Sequence, residues 1–152
     1  LAKFSPMGER GVCRFVRAAH YSAMNKAAYF EGANKTIVIA QLEGQQAINN
    51  LDDILTVEGI DIFFIGPYDL SQSLGVPGQV THPLVVEAMN KIVKAAKKKG
   101  AVVGTFTDSK ETMEMWTKAG VQYISYSVDM GIFYEACKTL KEQFHGWCET
   151  VS

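Results

Sequence analysis

The sequence predicts an α/β fold on a parallel sheet, as part of a (β/α)8 TIM barrel, and three observations predict it. Strand-like and helix-like segments alternate four times between residues 36 and 147. The strand-like segments are almost continuously apolar, as strands covered on both faces are. Polar residues gather just past their C-terminal ends, the rim where barrel enzymes hold their chemistry.

Residues 1–14 read as irregular, with Pro6, Gly8 and Gly11 as breakers. Residues 15–29 carry a weak helix-compatible pattern, so 1–35 form a lead-in loop and helix. Residues 36–43 (TIVIAQLE) are β-branched and apolar, then polar: a buried strand. Residues 45–57 follow as an amphipathic helix with Ala47, Ile48, Leu51, Ile54 and Leu55 on one face. Residues 61–66 (DIFFIG) are the second strand, and 67–79 a loop with about one helical turn. Residues 83–99 give the strongest helix. Pro83 suits its first turn and Gly100 its end, and Leu84, Ala88, Met89, Ile92, Val93 and Ala96 form its apolar stripe.

Residues 101–105 are the third strand. Asp108 with Glu111 resembles a capping box for a helix running to Ala119 and closed by Gly120. Residues 121–127 are the fourth strand, and 130–144 the last helix. No shift in composition marks a second domain, so 1–152 is one unit, with four β/α repeats over 36–147. The alternation calls for right-handed crossovers between parallel strands. An open doubly wound sheet and a partial barrel both satisfy it. No Gly-x-Gly-x-x-Gly follows the first strand, and the polar residues sit at the rim (Glu43, Asp69, Thr105 to Thr107, Asp129), which favours the barrel.

Composition excludes several classes of function. The formal net charge is −1 over 152 residues, which gives no electrostatic case for nucleic acid or an anionic membrane. No apolar run approaches the roughly 20 residues that cross a bilayer. Cys13, Cys137 and Cys148 form no CxxC pair and read as reduced thiols of a cytoplasmic protein. His20, His82 and His145 show no metal-ligand spacing. The chain starts at Leu1, so it is either processed or a piece of something longer. Lys91, Lys94, Lys97, Lys98 and Lys99 read as a solvated helix end. His82 reads as a helix-start residue, and Met113, Met115 and Trp116 as packing.

Gln41 and Glu43 lie two apart on the first strand, hence on one face. Asp69 lies just past the second. Adjacent strands run about 4.8 Å apart, so carboxylates at neighbouring ends can share one cation. Two carboxylates leave open positions for waters and substrate oxygens, as Mg²⁺ and Mn²⁺ sites do. Other readings stay open. Glu43 also suits the start of the helix that follows it, and Asp69 with Gln72 suits a helix N-cap. In the run from Gly66 through Pro67 and Tyr68 to Asp69, backbone N–H groups could face a small carboxylate; a tight Gly-Pro turn fits as well.

The Gln41-x-Glu43 pair and the Gly66-Pro67-x-Asp69-Leu70-Ser71 run resemble the HpcH/HpaI aldolase family. So do Asn50-Leu51-Asp52-Asp53-Ile54-Leu55-x-Val57-Glu58-Gly59 and the start, Pro6-x-Gly8-x-Arg10-Gly11. The likeness spans about residues 3 to 144. It implies strands five to eight of a (β/α)8 barrel and class II aldol chemistry on 4-hydroxy-2-oxo acids, giving pyruvate or a relative plus an aldehyde. Related citrate-forming and citryl- or malyl-CoA-lyase-like activities come with it. Glu43 and Asp69 match the metal-binding carboxylates, for Mg²⁺ or Mn²⁺ with Co²⁺ as a further option. Gln41 matches a catalytic residue beside the metal. Gly66, Pro67 and Tyr68 match the substrate-binding turn, whose backbone cradles the pyruvate carboxylate. Family members are homo-oligomers, often with the last helix packed on a neighbour.

The family's arginine and histidine belong to the part before these strands, and Arg10, Arg14 and Arg17 do not match that motif. The resemblance therefore implies half an active site, completed by a missing N-terminal half-barrel or a partner chain. The competing expectation is a non-catalytic half-barrel that serves binding or assembly.

Overall fold

The computed structural model describes residues 1–151, with the side chains of residues 146 and 148–151 outside the description. Cys148, one of the three thiols, therefore lies outside the described residues. Cys13 and Cys137 are free and exposed. Among the described residues no helix is long and apolar enough to cross a membrane.

The strands are β1 (Ile39–Leu42), β2 (Ile62–Ile65), β3 (Val102–Thr107) and β4 (Tyr123–Tyr126). They form one sheet in sequence order, and every neighbouring pair is parallel. The helices are α1 (Lys26–Ala33), α2 (Gln45–Asn49), α3 (Leu51–Ile54), α4 (Pro67–Ser73), α5 (Pro83–Lys98), α6 (Lys110–Ala119) and α7 (Asp129–Val151). Strands in sequence order joined by helical crossovers are the arrangement of consecutive units of a (β/α)8 barrel.

One face of the sheet packs on the helices. Leu42, Phe63, Ile65 and Val103 meet Leu51, Leu70, Val85, Met89, Ile92 and Trp116 in the main core. Ile65, Leu70, Val85 and Met89 are fully enclosed, and each such side chain contributes about 1.5–3 kcal/mol. The other face is only half covered: Ile39 is 44% exposed and Tyr123 42%. The expectation of strands covered on both faces thus holds for the helix side alone. In a whole barrel that second face points inward, where side chains of opposite strands fill it.

Local signals explain the elements. α5 starts at Pro83, with His82 Nδ1 accepting from the Leu84 N–H at 3.3 Å. Its stripe is the expected one, except that Leu84 is 48% exposed and Val85 takes its place in the core. All five lysines of its C-terminal end are solvent-exposed. The 45–57 segment splits at Asn50 into α2 and α3, while Ile48, Leu51 and Leu55 still share the buried side. α4 runs to Ser73 where one helical turn was expected. Pro67 opens it, and the Ser71 hydroxyl steadies it, donating to Tyr68 O and accepting from Gly78 N at 2.9 Å.

The 15–29 helix is replaced by a kinked 3-10 segment, Arg17–Ser22, and by α1, which Asn25 caps. His20 and Tyr21 take positive φ there, which breaks the helical path. This lead-in has its own small core of Phe4, Ala19 and Tyr29. Gly8 allows its first turn to close, since a Cβ there would stand 2.5 Å from Lys3 O. Arg10 then lies 5.0 Å over the Phe4 ring.

Candidate functional site

Strand register sets the inward layers. Gln41 pairs with Phe64, Phe64 with Gly104 and Gly104 with Tyr123. Side chains alternate along a strand, so these four residues form one layer of the inner face. Gly104 makes room in it: the Phe64 and Tyr123 rings meet edge-to-face at 6.0 Å, and a Cβ on Gly104 would lie 2.6 Å from Tyr123 Cδ1. The next layer toward the strand C-termini holds Glu43, Gly66, Phe106 and Ser125. Phe106 pairs with Ser125, and the β1–β2 ladder extends to Gly66, whose N–H donates to Leu42 O at 3.3 Å.

Gln41 and Glu43 are brought together as the alternation predicts: the Gln41 amide donates to Glu43 Oε2. Both press on Gly66, where a Cβ would meet Glu43 Oε2 at 2.9 Å and Gln41 Nε2 at 3.0 Å. A side chain at position 66 would fill the space the carboxylate occupies. Pro67 is buried at the first position of α4, with Tyr68 and Asp69 exposed after it.

The N-cap reading of Asp69 fails, whereas Glu43 does stand at the start of the helix that follows it, one residue before its cap. The N-caps of α2 and α4 are Gly44 and Gly66, and neither cap has a side-chain hydrogen bond. Asp69 sits inside the first turn of α4 instead. Among the described residues the ion pairs are Lys35–Glu31, Lys110–Glu114, Lys118–Glu114 and Lys138–Glu135. Glu43 and Asp69 therefore have no cationic partner there. No group of three or more His, Cys, Asp or Glu side chains gathers among the described residues. A cation at this rim would rest on two hard carboxylate oxygens and fill its remaining positions from water or substrate. That donor set fits Mg²⁺ or Mn²⁺.

Two features of the rim were not foreseen. Asp108 is not the cap of α6: Ser109 is, its hydroxyl accepting from Thr112 N at 3.2 Å. Asp108 instead accepts from the Tyr68 hydroxyl. That hydrogen bond, with partial desolvation and the Asp108 charge, raises the Tyr68 phenol above its ordinary value. The Tyr68 ring also lies against Phe106, with centroids 6.2 Å apart.

Thr105 and Thr107 do not face the mouth. Alternation puts them on the helix side with Val103, where Thr105 donates to Ile65 O at 2.9 Å. Thr107 Oγ1 is buried there with no partner among the described residues. Asp129 opens α7 and accepts from Met130 N at 2.8 Å.

Comparison with known proteins agrees with this fold. The family model described as HpcH/HpaI aldolase/citrate lyase matches residues 3–136. A 5-keto-4-deoxy-D-glucarate aldolase of Shigella boydii serotype 18 is 32% identical over 143 residues, 93% of this chain and 55% of that protein. The chain thus spans about half the length of the curated relatives it matches.

Among solved structures, an HpcH/HpaI aldolase/citrate lyase family protein from Burkholderia cenocepacia J2315 superposes with a TM-score of 0.83 at 32% identity, covering 95% of this chain and 57% of that one. An HpcH/HpaI aldolase from Desulfitobacterium hafniense DCB-2 does so at 0.76 and 33%, covering 94% and 56%. With its parallel strands in barrel order and its match over most of its length, the chain belongs to the HpcH/HpaI aldolase/citrate lyase family.

Proposed function

We propose that the protein containing this chain is a divalent-metal-dependent aldolase that cleaves or forms 4-hydroxy-2-oxo acids, with pyruvate or a close relative and an aldehyde as partners. The observation that carries the proposal is the placement of Glu43, steadied by Gln41 over Gly66, beside the strand end that leads to Asp69. Glu43 and Asp69 hold the cation. Gln41 fixes the Glu43 carboxylate in one orientation. Gly66, Pro67 and Tyr68 form the turn that receives the carboxylate of the 2-oxo acid. A bound divalent cation supplies Lewis acidity for the negative charge that develops on the keto oxygen.

The inner face gives the reacting carbon an apolar floor of Phe64 and Tyr123. The remaining barrel strands come from a segment or partner outside these residues. The exposed apolar side chains of α7, Phe133, Leu140 and Phe144, favour its packing on a neighbouring subunit of a homo-oligomer. The reaction belongs in the cytoplasm.

The test is pyruvate release from 4-hydroxy-2-oxo acids by the full-length protein, with and without EDTA. Turnover that EDTA stops and Mn²⁺ restores is expected. Turnover indifferent to chelation would refute the reading. The half-covered inner face favours a second reading, a non-catalytic half-barrel that still takes a cation. Turnover by the 152-residue chain alone would exclude it.

A further inference from the structure

We propose that Asp108, held by the Tyr68 hydroxyl, sorts the aldehyde partner, admitting uncharged hydroxyl-bearing aldehydes and disfavouring those that carry a carboxylate. The proposal rests on the aldolase reading above. Alternation puts Gly104, Phe106 and Asp108 on the same inward side, with Asp108 one residue past the end of β3. Phe106 shares its layer with Glu43 and Gly66, and the Tyr68 ring lies against Phe106. Tyr68 and Asp108 therefore form the next layer outward, between the carboxylate pair and the mouth.

The chemistry of that layer is specific. The Tyr68 proton is committed to Asp108 Oδ2, so the phenol cannot donate to a substrate at the same time. Asp108 Oδ1 carries no protein hydrogen bond among the described residues. A carboxylate anchored through one oxygen is a directed acceptor for a substrate hydroxyl. It also repels a second carboxylate, and Lys110, the cationic side chain next along the chain, pairs with Glu114 at 3.7 Å. At the strand ends and in the first turns of the helices that follow, Glu43, Asp69, Asp108, Glu111 and Asp129 stand against one lysine, Lys110. With a cation on Glu43 and Asp69, Asp108 keeps its own negative charge one layer further out.

The experiment is aldol addition of pyruvate to glyceraldehyde, butanal or succinate semialdehyde by the full-length protein with Mn²⁺. Wild type is expected to favour glyceraldehyde in kcat/KM by about tenfold or more over the other two, the margin a directed polar contact confers. Asp108→Ala is expected to erase that preference. Asp108→Asn, which keeps an acceptor for Tyr68, should retain glyceraldehyde turnover and lose the bias against succinate semialdehyde. Tyr68→Phe, which frees Asp108, should fall between wild type and Asp108→Ala.

Loss by one common factor for all three aldehydes in both Asp108 variants would make the residue merely structural and overturn the proposal. A wild-type preference for succinate semialdehyde would overturn it too. Turnover without sorting sinks this proposal alone, whereas no turnover with any aldehyde sinks the aldolase reading and this proposal together.

Discussion

Gly66 lies beneath the Glu43 carboxylate: a Cβ built on it would stand 2.9 Å from Oε2 and 3.2 Å from the Glu43 Cβ. The atoms crowded most closely are the far ends of two flexible side chains, Glu43 and Gln41, so the backbone can absorb a methyl group here. The side chains must then swing away from the rim. Gly66→Ala is therefore expected to cost under about 1 kcal/mol in urea denaturation, less than typical overpacking. Mn²⁺ affinity, read by EPR titration, should weaken by about tenfold or more, as when the support of a metal ligand is lost. A large stability loss with unchanged Mn²⁺ binding would show that position 66 serves the fold and not the carboxylate.

Glu43 and Gln41 touch each other but have different tasks, and their variants should separate. Glu43→Gln keeps size and removes the anion, so Mn²⁺ binding and pyruvate release should both disappear. Gln41→Leu leaves the anion and removes only its restraint, so activity should fall about 10–100-fold while saturating Mn²⁺ still binds. Equal effects on Mn²⁺ binding from both substitutions would contradict this division.

What was legible in the sequence follows the strength of each local pattern. The apolar runs of β2 and α5 are long or sharply bounded, by Gly66 on one and by Pro83 and Gly100 on the other, and both elements lie within a residue of expectation. The first strand is shorter than the 36–43 that the sequence predicts. Ile37 is 63% exposed, and Asp61 takes the Val38 N–H at 2.7 Å, which starts the ladder later. α4 has too few apolar positions to register as periodic. The Gln41–Glu43 pairing was readable because strand alternation is a local rule. The Tyr68–Asp108 bond was not, because it joins residues forty apart through a register that only folding sets.

Ser109 and Asp108 are both good helix-capping residues by type, and the length of β3 decides between them. Because the strand runs through Thr107, Ser109 reaches the cap position of α6. Ser109→Ala should cost about 1 kcal/mol of stability, as lost N-caps do. Asp108→Ala, which gives up only an exposed hydrogen bond with Tyr68, should cost less. The reverse order in urea titrations would restore Asp108 as the cap.

Gly104→Ala should behave unlike Gly66→Ala. Its Cβ would meet Phe64 Cδ2 at 2.9 Å and the Tyr123 backbone oxygen at 3.0 Å, besides the Tyr123 ring. A backbone oxygen cannot swing aside, so β3 and β4 must part. A loss of about 1–3 kcal/mol is expected, as for overpacked cores, with the near-ultraviolet dichroism of the two rings altered. Wild-type stability in this variant would mean that the inner layer is loose enough to take a methyl group.

The Tyr68–Asp108 bond gives stability a defined dependence on alkaline pH. The phenol is raised because its neutral form donates to Asp108. Above the unfolded tyrosine value of about 10 the unfolded chain releases a proton that the folded chain keeps, so folded stability must fall as pH rises. The contribution is complete below pH 10 and is lost as pH passes through the raised folded value. Wild type should therefore exceed Tyr68→Phe by a constant margin from neutral pH to about pH 9, and the margin should shrink beyond pH 10. Ultraviolet titration at alkaline pH should show one tyrosine of the wild type ionising late, a step absent from Tyr68→Phe and moved earlier in Asp108→Ala. If the late step survives in Asp108→Ala, burial and not the carboxylate holds the proton.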